Sequence, residues 1–264
     1  MNLKQTLLFL SLTFTCVGQV CFGQTNACDK MDKEWTHSYS KIFPFYQNNE
    51  DSLNYYSDLF STKFTKYIEN NPSTLECKFK MFKDSIGSVV TSQDGLFRIY
   101  SWDTWLGGTM HDYENIFQFK SGNKTYTKIF DYGEGDMGTN FTDVYTLKAN
   151  DKTYYLAIAD GSESTKYGYE FIRVYSISGN TVDDNVKLIK TSTGIRNSIN
   201  FEYDFFSVED RPESPIHLIK YDAAKKIIYI PIVVGDGKVT DRFILYQFTG
   251  QYFEKILTQT KASK

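Results

Sequence analysis

From residue 87 onward the sequence consists of short runs of alternating β-branched and aromatic residues, separated by turn residues at regular intervals. This pattern predicts antiparallel β-strands joined by tight turns. Phenylalanine and tyrosine occur 21 and 20 times, and aromatic side chains favour the pleated, half-buried surface of a sheet. The chain is therefore predicted to be mostly β, and any other segment must pack against these strands.

The predicted strands repeat. Residues 88–130, 143–190 and 216–258 each predict two successive hairpins with the same kinds of segment in the same order. In each stretch, the second strand of the first hairpin is followed by a loop whose first residue is acidic. These acids are Asp103, Asp160 and Asp236.

The turns of these hairpins are equivalent between the stretches. The first hairpins are predicted to turn at residues 93–95, 150–152 and 222–224. The second hairpins turn at Gly122, Gly179 and Gly250, because glycine adopts the positive φ that a tight reversal requires.

Four strands in 43 to 48 residues resemble one blade of a β-propeller, although no signature of a particular propeller family recurs in register. The resemblance implies antiparallel four-stranded, propeller-like hairpin units, about three in number. Three is fewer than the four to eight blades of closed propellers. Residues 198–208 offer one or two further strands. The alternative is a large, bent antiparallel sheet or sandwich built from the same hairpins.

The amino terminus has the pattern of a signal peptide. Lys4 precedes an apolar stretch over residues 6–20, which is too short and too interrupted to span a bilayer. We expect cleavage of residues 1–23 before Gln24, with a cut after Gly18 as the alternative. Lipidation requires small residues directly before a cysteine, and the residues before Cys16 and Cys21 fit this requirement poorly. The mature protein is thus predicted to be secreted or periplasmic, with no transmembrane segment.

Residues 24–85 are predicted to form a helical segment that packs on a β-rich region over residues 86–264. Apolar residues recur there at helical spacing in two groups, Met31, Trp35, Tyr39 and Ile42, then Leu53, Tyr56, Phe60, Phe64 and Tyr67. Pro44 separates the two helices, Asp51 is expected to cap the second, and Asn70, Asn71 and Pro72 are expected to end it.

Two cysteines remain after cleavage, Cys28 and Cys77. In an oxidising compartment they predict one disulfide, and the alternative is a pair of buried free thiols. They form no C-x-x-C pair, which argues against thiol redox catalysis and thiolate zinc sites.

Charge and motifs exclude several functions. The net charge is −3 and no basic stripe occurs, so nucleic acid is not an expected partner. Residues 133–138 match the string G-x-G-x-x-G, but a strand follows where a dinucleotide site needs a helix. Asp131, Glu134 and Asp136 in the same loop are oxygen ligands of the kind calcium prefers, although solvated acids are the favoured interpretation. No cofactor is predicted.

The catalytic motifs of common hydrolases are absent. The chain has three histidines, no G-x-S-x-G around a serine and no H-E-x-x-H. A pair of carboxylates for glycoside hydrolysis would be spatial and therefore invisible in the sequence.

The loop over residues 102–114 is the predicted ligand-binding surface, because aromatic rings flanked by carboxylates suit a sugar ring or a partner's side chain. Its candidates, with the two acids of the equivalent loops, are Trp102, Asp103, Trp105, His111, Tyr113, Asp160 and Asp236. If the units are blades, these loops share one face. The alternative is that Trp102 ends a core strand and Trp105 fills a gap beneath the helices.

The sequence therefore favours an exported, non-catalytic binding protein for a carbohydrate, an envelope component or another protein. The alternative is a secreted hydrolase of polysaccharides or esters, with acid and base drawn from Asp103, His111, Asp112 and Glu114. A third possibility, a purely structural interaction protein, predicts a flat apolar face.

Overall fold

The computed structural model describes residues 16–46, 48–107, 111–130, 138–211 and 216–260. Over these residues the chain is mostly β, as predicted, with three α-helices before the strands. The helices are α1 (Cys16–Tyr39), α2 (Glu50–Asn70) and α3 (Lys80–Ser85). Residues 1–15 of the predicted signal peptide lie outside the described part, and α1 runs across the predicted cleavage point before Gln24.

Helix α2 begins at a different cap from the predicted one. The side-chain oxygen of Asn49 accepts a hydrogen bond from the Ser52 backbone N–H at 2.9 Å, so Asn49 is the N-cap. Asp51 lies in the first turn instead, where a negative charge is favourable near the helix N-terminus. The helix ends at Asn70, before Pro72, as predicted.

The short helix α3 was not predicted, because its cap comes from another helix. Asp32 of α1 is buried and accepts hydrogen bonds from the backbone N–H groups of Met81 and Phe82 at 2.7 and 2.9 Å. Such bonds satisfy N–H groups that the first turn of a helix leaves without partners. A tertiary contact therefore replaces the local capping residue.

Fifteen strands form three sheets over the described residues. In chain order they are β1 (Gly87–Thr91), β2 (Phe97–Asp103), β3 (Tyr113–Ser121), β4 (Lys124–Ile129), β5 (Asn140–Ala149), β6 (Lys152–Ser162), β7 (Tyr167–Ser178), β8 (Thr181–Asp183), β9 (Ile189–Thr191), β10 (Gly194–Arg196), β11 (Ser198–Asp204), β12 (Lys220–Asp222), β13 (Ile227–Val234), β14 (Lys238–Phe248) and β15 (Phe253–Thr260).

The first sheet has the order β1-β2-β3-β4, the second β11-β7-β6-β5, and the third β10-β9-β15-β14-β13-β12. Strand β8 pairs with the end of β7, and β15 pairs with β9 in parallel, whereas every other pairing is antiparallel. Each predicted four-strand stretch thus forms consecutive antiparallel strands. Gly122, Gly179 and Gly250 take φ values of 58°, 60° and 103° at the predicted reversals.

Closure into a propeller is not found. The described strands form no closed barrel or propeller, and β9, β10 and β11 extend the second and third sheets beyond four-stranded units. The strand predicted within residues 198–208 is present as β11, where it pairs with β7.

Strand β2 of the first sheet is buried on both faces. Tyr100 and Trp102 of β2 pack against Phe60 and Phe64 of α2, with ring centroids 5.3 to 5.8 Å apart. On the opposite face of β2, Phe97 contacts Tyr155 of the second sheet at 4.9 Å. Successive side chains of a strand point to opposite faces, so all seven residues of β2 are buried. The helices pack on the β region, as predicted.

Further packing joins the remaining sheets. A separate apolar cluster between the second and third sheets includes Leu156, Ile172, Ile228 and Phe253. No helix in the described ranges is both long and apolar enough to cross a membrane.

A disulfide joins Cys28 of α1 to Cys77, as predicted, and these two residues are 49 positions apart in the sequence.

Replacing both cysteines with serine should lower the free energy of unfolding by about 3 to 4 kcal/mol, because the unfolded chain regains the conformational freedom that the disulfide-closed loop removes. Urea denaturation measures this difference. Reductant should destabilise the wild-type protein by a similar amount and leave the double variant unchanged. An unchanged unfolding midpoint in the variant would contradict the prediction.

Candidate functional site

A cleft of about 550 Å³ lies between the β2–β3 loop, the β6–β7 loop and the chain that follows β11. We call it the loop cleft. Its lining residues share polar or aromatic character, with few aliphatic groups, and are His111, Tyr113, Asp160, Gly161, Ser162, Ser164, Thr165, Tyr167, Gly168, Tyr203, Phe205, Glu209, Arg211 and Ile216.

Local hydrogen bonds give the β6–β7 wall of the loop cleft a defined shape. The Ser164 hydroxyl accepts hydrogen bonds from the backbone N–H groups of Lys166 and Tyr167 at 3.2 and 3.0 Å. The carbonyl of Lys166 then accepts a bond from the Phe205 N–H at 2.8 Å. Two segments distant in sequence are therefore tied together at the cleft.

Asp160 of β6 is the acid at the centre of this arrangement. Its side chain is 29% exposed, and its Oδ2 lies 3.8 Å from Nδ1 of His217. Asn140 donates a weak hydrogen bond to its Oδ1 at 3.4 Å. Burial raises the pKa of Asp160 to about 6, against the opposing effect of His217. Near neutral pH this carboxylate can accept hydrogen bonds, and in weakly acidic solution it gains a proton.

Glu170 stands directly opposite Asp160 in the pairing of β6 with β7. It is almost fully buried and accepts hydrogen bonds from the backbone N–H groups of Leu218 and Ile219 at 2.8 to 3.0 Å. Burial is the main reason that its pKa rises to about 7. Because Glu170 holds residues 216–219 against the second sheet, it also positions Ile216 and His217 beside the loop cleft.

Asp103 and His111 form a close pair at the opposite wall. Nδ1 of His111 lies 2.5 Å from Oδ2 of Asp103, and the other oxygen of Asp103 accepts a bond from the Trp105 N–H at 2.8 Å. The backbone carbonyl of Asp103 accepts a bond from the Tyr39 hydroxyl at 2.6 Å. Asp103 therefore orients the half-exposed His111 ring toward the cleft.

Aromatic rings line both walls. Tyr167 and Phe205 are 37% and 44% exposed, which leaves ring surface available to a ligand. Burial, with the charges of Asp103 and Asp160, raises the pKa of Tyr113 to about 12. Its hydroxyl therefore stays protonated and can both donate and accept a hydrogen bond.

The structure brings several predicted site residues together. His111, Tyr113 and Asp160 line the loop cleft, and Asp103 reaches it through His111. Asp236 lies outside the cleft and lines a neighbouring hollow. The possible calcium ligands Asp131, Glu134 and Asp136 are outside the described residues, and no cluster suited to a metal ion occurs in the part of the chain that is described.

The two tryptophans of the predicted surface have structural positions. Trp102 is fully buried among the rings of α2, so the structure removes it from the candidate binding surface and matches the core alternative. Trp105 packs against Phe43 and Tyr46, with ring centroids 5.3 and 5.1 Å away, beneath the segment that links α1 to α2.

Two acids proposed for hydrolysis also lie outside the lining of the loop cleft. Asp112 accepts a hydrogen bond from the Thr104 hydroxyl, and Glu114 accepts one from the Ser61 hydroxyl. Burial raises the pKa of each carboxyl above its ordinary value. The bond to Asp112 lies within the β2–β3 loop, and the bond to Glu114 joins β3 to α2.

Sequence reasoning missed Tyr167, Tyr203, Phe205 and Arg211. The aromatic run over residues 201–206 was visible, but its contact with the β6–β7 loop is tertiary. The guanidinium of Arg211 lies 4.0 Å from the Asp241 carboxylate. The same residue also lines the loop cleft.

Comparisons with models of protein families, with curated proteins and with solved structures find no significant match for this chain. Any assignment of function therefore depends on the chemistry of the loop cleft.

Replacing Glu170 with glutamine should change how stability depends on pH. The ordinary pKa of this group is 4.5 and burial raises it to about 7, so between these values the folded protein holds a proton that the unfolded chain has released. The stability of the wild-type protein relative to Glu170→Gln should therefore fall by roughly 3 kcal/mol as pH rises from about 4.5 to 7.5.

Urea denaturation across this pH range provides the measurement. Glu202→Gln is the control, because Glu202 is an exposed glutamate on β11 in the same sheet. Parallel pH profiles for the wild-type protein and Glu170→Gln would show that Glu170 binds protons equally in the folded and unfolded chains.

Proposed function

We propose that this chain is an exported, non-catalytic binding protein that holds a carbohydrate in the loop cleft. One observation carries the proposal: exposed faces of Tyr167 and Phe205 stand beside Asp160 and Arg211 in a concave site. The cleft volume of about 550 Å³ lies within the range of small-molecule sites, roughly 300 to 1,000 Å³.

A sugar matches this combination because it has two kinds of surface. Its C–H groups can lie on an aromatic ring, whose face carries partial negative charge. Its hydroxyls donate hydrogen bonds to a carboxylate such as Asp160 and accept them from a guanidinium such as Arg211. The hydroxyls of Ser162, Ser164 and Thr165 add partners of both kinds along one wall.

Binding is favoured over catalysis because Glu170, the acid opposite Asp160, is buried. A hydrolase of the glycosidase kind uses two carboxyl groups that flank the scissile bond. Glu170, which faces Asp160 across the strands, is instead buried and committed to two backbone N–H groups. Glu170 is therefore not available as the partner of Asp160 in such a pair, and a role in hydrogen bonding fits Asp160 better.

A hydrolase acting on a polysaccharide or ester is the second candidate, and the raised pKa of Asp160, about 6, favours it. A carboxyl with that pKa can serve as a general acid in weakly acidic solution. Release of reducing ends or of acid from a bound substrate, lost in Asp160→Asn, would support this candidate over simple binding.

We also propose export of the protein and a propeller-like architecture for the hairpin units. The amino-terminal pattern supports a signal peptide over residues 1–23, and the Cys28–Cys77 disulfide supports an oxidising destination, either secreted or periplasmic. Three consecutive antiparallel meanders support propeller-like units, in which the loops at one end commonly carry the binding site.

A thermal-shift screen of soluble glycans, with the protein purified after export, tests the proposal. A glycan at 100 times its dissociation constant should add about 2.7 kcal/mol to the free energy of unfolding. Phe205→Ala should weaken binding of that glycan roughly tenfold, because the ring loses its contact with the sugar face.

Tyr55→Ala is the matched control, since Tyr55 is 60% exposed on α2 and does not line the loop cleft. It should bind the glycan as the wild-type protein does. The proposal fails if no glycan in the screen stabilises the protein, or if Phe205→Ala and Tyr55→Ala bind equally well.

A further inference from the structure

A second hollow of about 510 Å³ adjoins the loop cleft. We call it the Phe206 hollow, and it is lined by Asp204, Phe206, Ser207, Val234, Gly235, Asp236 and Lys238. The short helical turn Phe205–Ser207 lies between the two depressions. Phe205 lines the loop cleft, Phe206 lines the hollow, and their ring centroids are 6.3 Å apart.

Hydrogen bonds among its own residues stabilise the turn that carries these two rings. Oδ1 of Asp204 accepts a hydrogen bond from the Phe206 N–H at 3.0 Å, and the Ser207 hydroxyl donates to the Asp204 carbonyl at 2.7 Å. The side chain of Asp204 therefore caps the start of the turn, and its backbone carbonyl accepts a bond from the last residue of the turn.

Both neighbouring loops also fix the turn. Besides the bond from Phe205 to the β6–β7 loop, the N–H of Asp204 donates to the Gly237 carbonyl at 2.8 Å, and the N–H of Val239 donates to the Ser207 hydroxyl at 3.1 Å. Gly237 has a φ of 90°, and a Cβ there would lie 2.7 Å from the Asp204 nitrogen. This close approach requires glycine between β13 and β14.

A rigid backbone thus keeps Phe206 in solvent, where it is 57% exposed beside Val234 at 40%. Exposed apolar surface of this kind is unfavourable in water and commonly marks a binding site. The polar rim of the hollow indicates what kind of ligand it suits, because Asp236 and Lys238 flank the ring.

The two depressions repeat the same chemistry. The loop cleft combines Phe205 with Asp160 and Arg211, and the Phe206 hollow combines Phe206 with Asp236 and Lys238. Each therefore offers an aromatic ring together with a carboxylate and a cation. A ligand whose own units repeat can use both sets at once, whereas a single small molecule uses only one.

We infer that the ligand is a glycan chain that crosses the turn Phe205–Ser207 and places one part of the chain in each depression. This inference rests on the proposed function, since it assumes that the loop cleft binds carbohydrate. It identifies Phe206, Asp236 and Lys238 as a second subsite, and it makes the ligand an oligosaccharide or polysaccharide. Linked binding of two units raises affinity without any new contact in the first subsite.

Isothermal titration calorimetry with matched series from monosaccharide to hexasaccharide tests the inference, using β-1,4-linked glucose, N-acetylglucosamine and xylose. In the wild-type protein, the longer members of the series that binds should bind at least about tenfold more tightly than its shortest binding member. Phe206→Ala should reduce this gain with length to about one. Phe205→Ala should weaken binding at every length.

Asp236→Asn is the second variant, because it keeps the Phe206 ring and removes only the negative charge of Asp236. It should also reduce the gain with length. Tyr55→Ala again serves as the control and should retain the full gain.

The outcomes separate the two proposals. A wild-type gain with length that survives in both Phe206→Ala and Asp236→Asn, or no gain at all, overturns the second subsite and leaves carbohydrate binding in the loop cleft intact. Self-association of the wild-type protein that Phe206→Ala abolishes, measured by sedimentation, also overturns it, because the occupant is then a second copy. Failure of every oligosaccharide to bind overturns both proposals.

Discussion

The rest of the structure depends on the burial of the strand pair β2 and β3 on both of its faces. One face of β2 and β3 contacts the helices through Tyr100, Trp102 and Ile116, and the other contacts the second sheet through Phe97 and Phe117. Polar side chains on strands that are buried on both faces need hydrogen-bond partners, and tertiary hydrogen bonds supply these partners. Gln118 donates to the Ile68 carbonyl at the end of α2, and the Ser101 hydroxyl accepts a bond from the Phe141 N–H of β5. These bonds fix the helices and the second sheet relative to one strand pair, and the β2–β3 loop leaves that pair toward the loop cleft.

Buried carboxylates then position two short segments outside the sheets. Asp32 caps α3 from another helix, and Glu170 holds residues 216–219 against the second sheet. A buried acid needs several hydrogen bonds to offset its lost hydration, so each carboxylate collects backbone N–H groups that a strand or helix does not use. Asp160 at the loop cleft differs in this respect, because it keeps part of its surface in solvent. The oxygens of Asp32 and Glu170 are occupied by backbone N–H groups, whereas Asp160 keeps oxygen surface that solvent can reach.

Local patterns explain which parts of the fold were predictable. Period-two alternation and turn glycines located the hairpins, and Gly122, Gly179 and Gly250 take the backbone conformation that their positions require. Helical spacing and Pro72 located α2 and its end. The predicted cap was displaced to Asn49, because several polar residues near a helix start compete for the same N–H groups. Helix α3 was missed because Asp32 is far from it in sequence, and the extension of the second and third sheets by β9, β10 and β11 depends on pairing between distant strands.

The sequence by itself determined the strand and helix content, the pairing of Cys28 with Cys77 and the chemical character of the β2–β3 loop. These properties follow from side-chain periodicity, turn preferences and cysteine number, all of which act over short distances along the chain. Only the tertiary structure decided that Trp102 is a core residue, that Asp160 and His111 share a cleft, and that Asp236 faces a separate hollow. It also decided that Phe205 and Phe206 stand on opposite sides of one rigid turn. The physical reason is that a binding surface forms where loops distant in sequence meet, and their meeting is set by the packing of the sheets beneath them.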